Sequence, residues 1–72
     1  MEKQGPALYE IRIKARLTGE RASWFEGLTV KAEADGETVI RGIMRDQAAL
    51  HGVLAKIRDL GLPLLKVERL SD

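Results

Sequence analysis

The chain has no cysteine, so neither a disulfide framework nor a thiolate metal site can hold it together. It has one histidine and no Asp/Glu cluster at ligand spacing, too few groups for a single-chain metal centre. Asparagine is absent, and tryptophan, tyrosine and phenylalanine occur once each. The seven glycines are scattered and form neither G-x-G-x-x-G nor G-x-x-x-x-G-K, so a phosphate-binding loop is not expected. An excess of one charge is missing too: twelve Lys and Arg face eleven Asp and Glu, and a net charge of +1 gives no global attraction to nucleic acid or anionic membrane. No apolar run approaches the roughly 20 residues that span a bilayer, and the start, MEKQGPALYE, lacks the basic and apolar regions of a secretory signal. A soluble, cytoplasmic chain is expected.

What 72 residues allow is one domain with one small core, burying only about 60% of the surface its unfolded chain exposes. Residues 1–72 read as a single α+β domain with frayed ends at 1–6 and 71–72. Lacking the usual staples of small domains, it must be stabilised by regular packing or by a partner chain.

From Tyr9 to Leu17 apolar and charged residues alternate, with Tyr9, Ile11, Ile13, Ala15 and Leu17 on one side, which predicts a half-buried strand. Leu28, Val30 and Ala32 alternate with Thr29, Lys31 and Glu33 in a second, and Thr38 to Met44 forms a third. Between these two, Asp35-Gly36 marks a tight turn. A two-residue turn would put Arg41 on the core side, opposite Val30; a three-residue loop with Gly36 as a G1 bulge sets Val30 against Ile40, turns Met44 inward and leaves Val39, Arg41 and Ile43 outside. The second register buries fewer charges and is the one expected. In the link TGERASWFEGL, Ser23 and Glu26 stand as a capping box before Gly27, which predicts a helical turn over SWFE with Trp24 and Phe25 closing one end of the core.

The stretch DQAALHGVLAKIRDLGLP is bounded as a helix at both ends. Asp46 is a good N-cap, Leu50, Val53, Leu54, Ile57 and Leu60 make one apolar stripe, and Gly61 sits at the Schellman position with Leu62 able to touch Ile57 before Pro63 stops continuation. A last strand spans Leu64 to Leu70. The expected architecture is a two-layer α+β domain: a four-stranded mixed sheet, β-β-β-α-β in order 3-2-1-4, with one helix on one face.

The pieces YEIRIKARL, WFEGL, DGETVIRG and above all DQAALHGVLAKIRDLGLPLLKV resemble a family of short uncharacterised bacterial proteins, over most of residues 8 to 67. That resemblance implies a bacterial, single-domain, cytoplasmic protein and no catalytic residue. The segment RGIMR, Arg41 to Arg45, is more basic than the family's pattern.

Catalytic parts are scarce. His51 is the only base of the kind that activates a Ser or Cys nucleophile, and no serine lies near it in sequence. Glu10, Glu26, Glu33, Glu37 and Glu68 fall on exposed faces or turns, where ordinary pKa values are expected. The expectation is therefore no enzyme, no cofactor and no metal. Two surfaces remain. On the helix, Ala48, Gly52 and Ala55 make the side opposite the core stripe smooth, and His51 lies on the flank, about 120° from the stripe and half covered. This is a candidate interface for a protein partner or a second copy; the alternative is that alanine is simply the best helix former and the glycine is tolerated at a cost. On the uncovered sheet face, Arg12, Lys14, Arg16, Lys31 and Arg41, with Lys66, form a candidate basic face for weak nucleic-acid binding. It lacks aromatics for stacking, and Glu10, Glu33 and Glu68 interleave it, so cross-strand ion pairs on a solvated face are the simpler explanation. A self-associating, non-enzymatic interaction module is the leading expectation, and nucleic-acid binding its alternative.

Overall fold

The computed structural model describes residues 6–17, 19–25 and 27–71. Its elements run β1 (Ala7–Ile13), the 3₁₀ helix η1 (Gly19–Phe25), β2 (Thr29–Ala32), β3 (Thr38–Met44), α1 (Gln47–Asp59) and β4 (Leu64–Arg69). The two-layer α+β class is as expected, but the strand arrangement is not. The sheet order is β2-β3-β1-β4, not 3-2-1-4, and each neighbouring pair is antiparallel, so the sheet is not mixed. The reason lies in the first connection. The link from Lys14 to Leu28 contains η1, and a connection of a dozen or more residues acts as a crossover between parallel strands rather than as a hairpin turn. β2 therefore runs parallel to β1 with β3 inserted between them, and β4 runs parallel to β3 with β1 between. Two interleaved crossover units give the split βαβ, ferredoxin-like topology, with a 3₁₀ helix in place of the first α-helix. Among the described residues the sheet edges are consequently β2 and β4: the fourth strand is an edge as the order 3-2-1-4 expects, and β2 takes the place of the third.

The β2–β3 hairpin has the expected register: Val30 faces Ile40 and Ala32 faces Thr38. Gly36 adopts φ 87°, its N–H donates to the Glu33 carbonyl at 3.3 Å, and the Glu33 N–H donates to the Glu37 carbonyl at 2.7 Å. Residues 34–36 are thus the loop of a type I turn closed by a G1 bulge. Helix α1 begins on Asp46, whose side chain accepts from the Ala49 N–H at 2.8 Å. It ends in a Schellman motif, with Leu62 N–H donating to Ile57 and Gly61 N–H to Arg58, at 3.1 and 3.0 Å, and Gly61 at φ 71°.

The core lies between the inner sheet face and the two helices. Ile11, Ile13, Ile40 and Met44 from the sheet meet Leu50 and Ile57 of α1, Phe25 of η1 and Leu17. Val53, Leu54 and Leu60 complete the stripe at half burial. Strand β1 is shorter than expected, ending at Ile13, yet Ala15 and Leu17 still pack inward. Buried Thr38 fastens that segment: its hydroxyl donates to the Ala15 carbonyl at 2.5 Å and accepts from the Leu17 N–H at 3.4 Å. Helix η1 starts at Gly19, so Ser23 lies inside it, donating to the Glu20 carbonyl at 2.6 Å, and is not an N-cap. Glu26, its supposed capping partner, lies outside the described residues, as do positions 1–5 and 72 of the expected frayed ends. With about three residues per turn, neighbouring 3₁₀ side chains diverge by about 120°, so only Phe25 is buried and Trp24 is 41% exposed. The Lys56 ammonium ties η1 to α1 by donating to the Trp24 carbonyl at 2.9 Å.

Candidate functional site

The outer sheet face is organised by charge. Glu10, Arg12, Val39 and Arg41 point away from the core side chains on β1 and β3, with Lys31 on β2 and Lys66 and Glu68 on β4. Arg41 donates to Glu10 at 2.6 Å and Arg12 to Glu37 at 3.1 Å, while Arg12 also lies 4.0 Å from Glu10. These long side chains cover the sheet so well that Glu10 and Val39 are buried although they lie on the open face. The Arg41 hydrogen bond holds the Glu10 carboxyl below the usual carboxylate range against the opposing effect of desolvation, with the charges of Arg41, Arg12 and Lys66 adding to it. The ordinary value expected for Glu10 is thereby corrected. Arg12 is raised, chiefly by its bond to Glu37.

A depression of about 310 Å³ opens on this face, between Glu10, Arg12, Lys31, Glu33 and Arg41 over Val39. The structure brings together only part of the candidate basic face. Arg12, Lys31 and Arg41 converge, while Lys14 and Arg16 lie beyond the end of β1, exposed. Glu37, read from sequence as a turn residue, supplies a carboxylate to Arg12. Tyr9 packs on the core cluster and Trp24 sits on η1, so neither aromatic lies on the outer face. Among the described residues no group of three or more His, Cys, Asp or Glu is placed to hold a metal ion.

The helix candidates do share a face. Ala48, His51 and Gly52 are exposed, and Ala55 is half-buried on its flank. His51 projects further into solvent than the half-covered position expected of it. A Cβ added at Gly52 would meet nothing within 4 Å. Gly42 is the opposite case, because an added Cβ there would collide with the Leu28 side chain. A strand glycine that admits a neighbour marks close approach.

The least expected surface is the β4 edge. None of its six residues is buried, and Leu64, Leu65, Val67 and the following Leu70 are 49%, 48%, 38% and 39% exposed. Helix α1 packs against β3 and gives β4 little cover. A bulge between Ile13↔Leu64 and Arg12↔Lys66 leaves Leu65 without a partner residue on β1. In sequence these leucines and the valine look like core, and Leu64 and Val67 do stand opposite the core residues Ile13 and Ile11; they are surface because α1 rests over β3 and not over β4.

Fold and surfaces together define a small α+β domain of split βαβ topology. Over residues 8–68 the chain matches the model of a domain of unknown function, DUF8691, and it belongs to that family. No curated protein and no solved structure matches it. No helix among the described residues is long and apolar enough to cross a membrane.

Proposed function

We propose that this chain is a non-enzymatic protein-interaction module that associates with itself. The observation that carries the proposal is the concentration of exposed large apolar side chains on a strand that, among the described residues, pairs on one side only: Leu64, Leu65 and Val67 on β4, with Leu70 directly after it. Single exposed leucines are ordinary on a soluble surface, but several on one strand with open backbone hydrogen-bonding groups mark an interaction edge. The other edge differs. β2 is four residues long and follows Leu28 with only Val30 and Ala32 as apolar positions.

The outer face gives less support to catalysis or nucleic-acid binding. Its one buried carboxylate, Glu10, is held ionised by Arg41, whereas an acid–base group needs a pKa moved toward the working pH. Its arginines already engage Glu10 and Glu37, which a phosphate backbone would have to displace. Sedimentation velocity from micromolar to millimolar concentration tests the proposal, with reversible growth in mass expected. A strict monomer over the whole range would refute self-association.

A further inference from the structure

The geometry points to a specific homodimer in which β4 pairs antiparallel with β4 of a second copy, the two-fold axis passing through Val67, to form one continuous eight-stranded sheet. This inference rests on self-association as proposed above and adds the surface, the register and the charges that select it.

Backbone direction comes first. The Leu70 N–H donates to the carbonyl of Leu8, the residue directly opposite it, at 2.7 Å. In an antiparallel pair, hydrogen-bonded and non-hydrogen-bonded positions alternate, so Glu68 and Lys66 also direct their backbone groups at β1. Val67 therefore turns its N–H and C=O groups outward, to the edge of β4 that faces away from β1. A two-fold partner must bring outward positions opposite outward positions, which allows axes only through a residue and not between two.

Charge then selects the residue. An axis through Lys66 sets the two lysines opposite each other, and one through Glu68 does the same with the glutamates. An axis through Val67 sets Lys66 opposite the partner's Glu68 twice, Val67 opposite Val67, and Leu65 opposite the partner's Arg69, whose aliphatic stem can cover the leucine. Lys66 and Glu68 would form non-hydrogen-bonded pairs, in which side chains stand closest.

The arrangement inside one chain supports this assignment. Across the β1–β4 pair, Lys66 stands opposite Arg12 and Glu68 opposite Glu10, like facing like at both positions. Lys66 pairs with Glu68 along the strand at 2.9 Å, both about half exposed, and its charge also acts on Glu10 diagonally across β1. The residues directly opposite on β1 thus carry like charges, whereas a second β4 offers opposite ones. Because a strand pair buries less than the roughly 800 Å² per partner of a standard interface, association in the micromolar range or weaker is expected.

The test uses Lys66→Glu, Glu68→Lys and the double exchange. Each single substitution turns two attractive pairs per dimer into repulsive ones, and a loss of about tenfold or more in association is expected. Each also replaces a like-charged neighbour opposite β1 by an unlike one, so folding should be retained, which circular dichroism checks. An equimolar mixture of the two single variants should regain the dimer, since each β4 then meets its opposite charges, and the double exchange should behave as the wild type. If the wild type associates and the single variants associate equally well, another surface is responsible; this register is overturned while self-association stands. Single variants that stay monomeric when mixed would overturn the register too. A wild type that is monomeric throughout refutes both proposals. The double exchange keeps the test decisive if either single variant fails to fold.

Discussion

Replacing Gly52 by alanine separates a bare helix surface from a covered one. Gly52 sits in the sixth position of α1, its φ is not among the positive values, and an added Cβ would have open space around it. Nothing in the fold opposes the methyl group, so helix propensity alone sets the outcome, and alanine should stabilise the domain by about 1 kcal/mol. For a chain of this size that corresponds to a rise in Tm of about 4–8 °C. Thermal melts at two protein concentrations should show the same gain at both, because the methyl lies on the helix, away from β4. A gain that vanishes or becomes a loss as concentration rises would show that a neighbour approaches the Ala48–Gly52–Ala55 face in solution, and would refute the assignment of association to the β4 edge.

Glu10 carries the pH dependence of the outer face. Its folded pKa is lowered by Arg41, so its contribution is present above the ordinary carboxylate range and is lost as pH falls through the folded value. Urea midpoints measured from neutral to acid pH should fall for the wild type and fall less for Glu10→Gln; parallel curves would contradict the role given to Arg41. Thr38→Val keeps the shape of a fully buried side chain but orphans the Ala15 carbonyl and the Leu17 N–H, and should cost about 1–3 kcal/mol by chemical denaturation. A neutral result would mean that the segment after β1 is held by Leu17 packing alone.

Local chemistry was legible wherever one residue type answers one geometric need. Asp46 and Gly61 bound the helix, and Gly36 set the hairpin register and with it the inner and outer faces of β3. Strand order was less legible because it depends on a connection whose sequence looks like a turn. The order 3-2-1-4 requires the link between β1 and β2 to be a reversal, yet it crosses over the sheet by way of η1 and lets β3 pair with β1. The fourth strand is an edge in both orders, and what the order leaves open is its exposure. Leu64, Leu65 and Val67 carry the apolar signature of a buried strand, and burial is decided by where α1 rests, a property of packing and not of the strand. For Glu10 the alternation correctly indicated the open face, but cover by Arg41 and Arg12 side chains is not visible in a period of two.

Amide hydrogen exchange at Val67, followed as a function of protein concentration, tests the central claim most directly. The Val67 N–H points to the edge of β4 that faces away from β1, whereas those of Lys66 and Glu68 are directed at β1. Lys66 and Glu68 should be protected at every concentration, and Val67 should gain protection in step with the growth in mass. Exchange at Val67 that stays fast at concentrations where the protein sediments above its monomer mass would contradict the β4 interface.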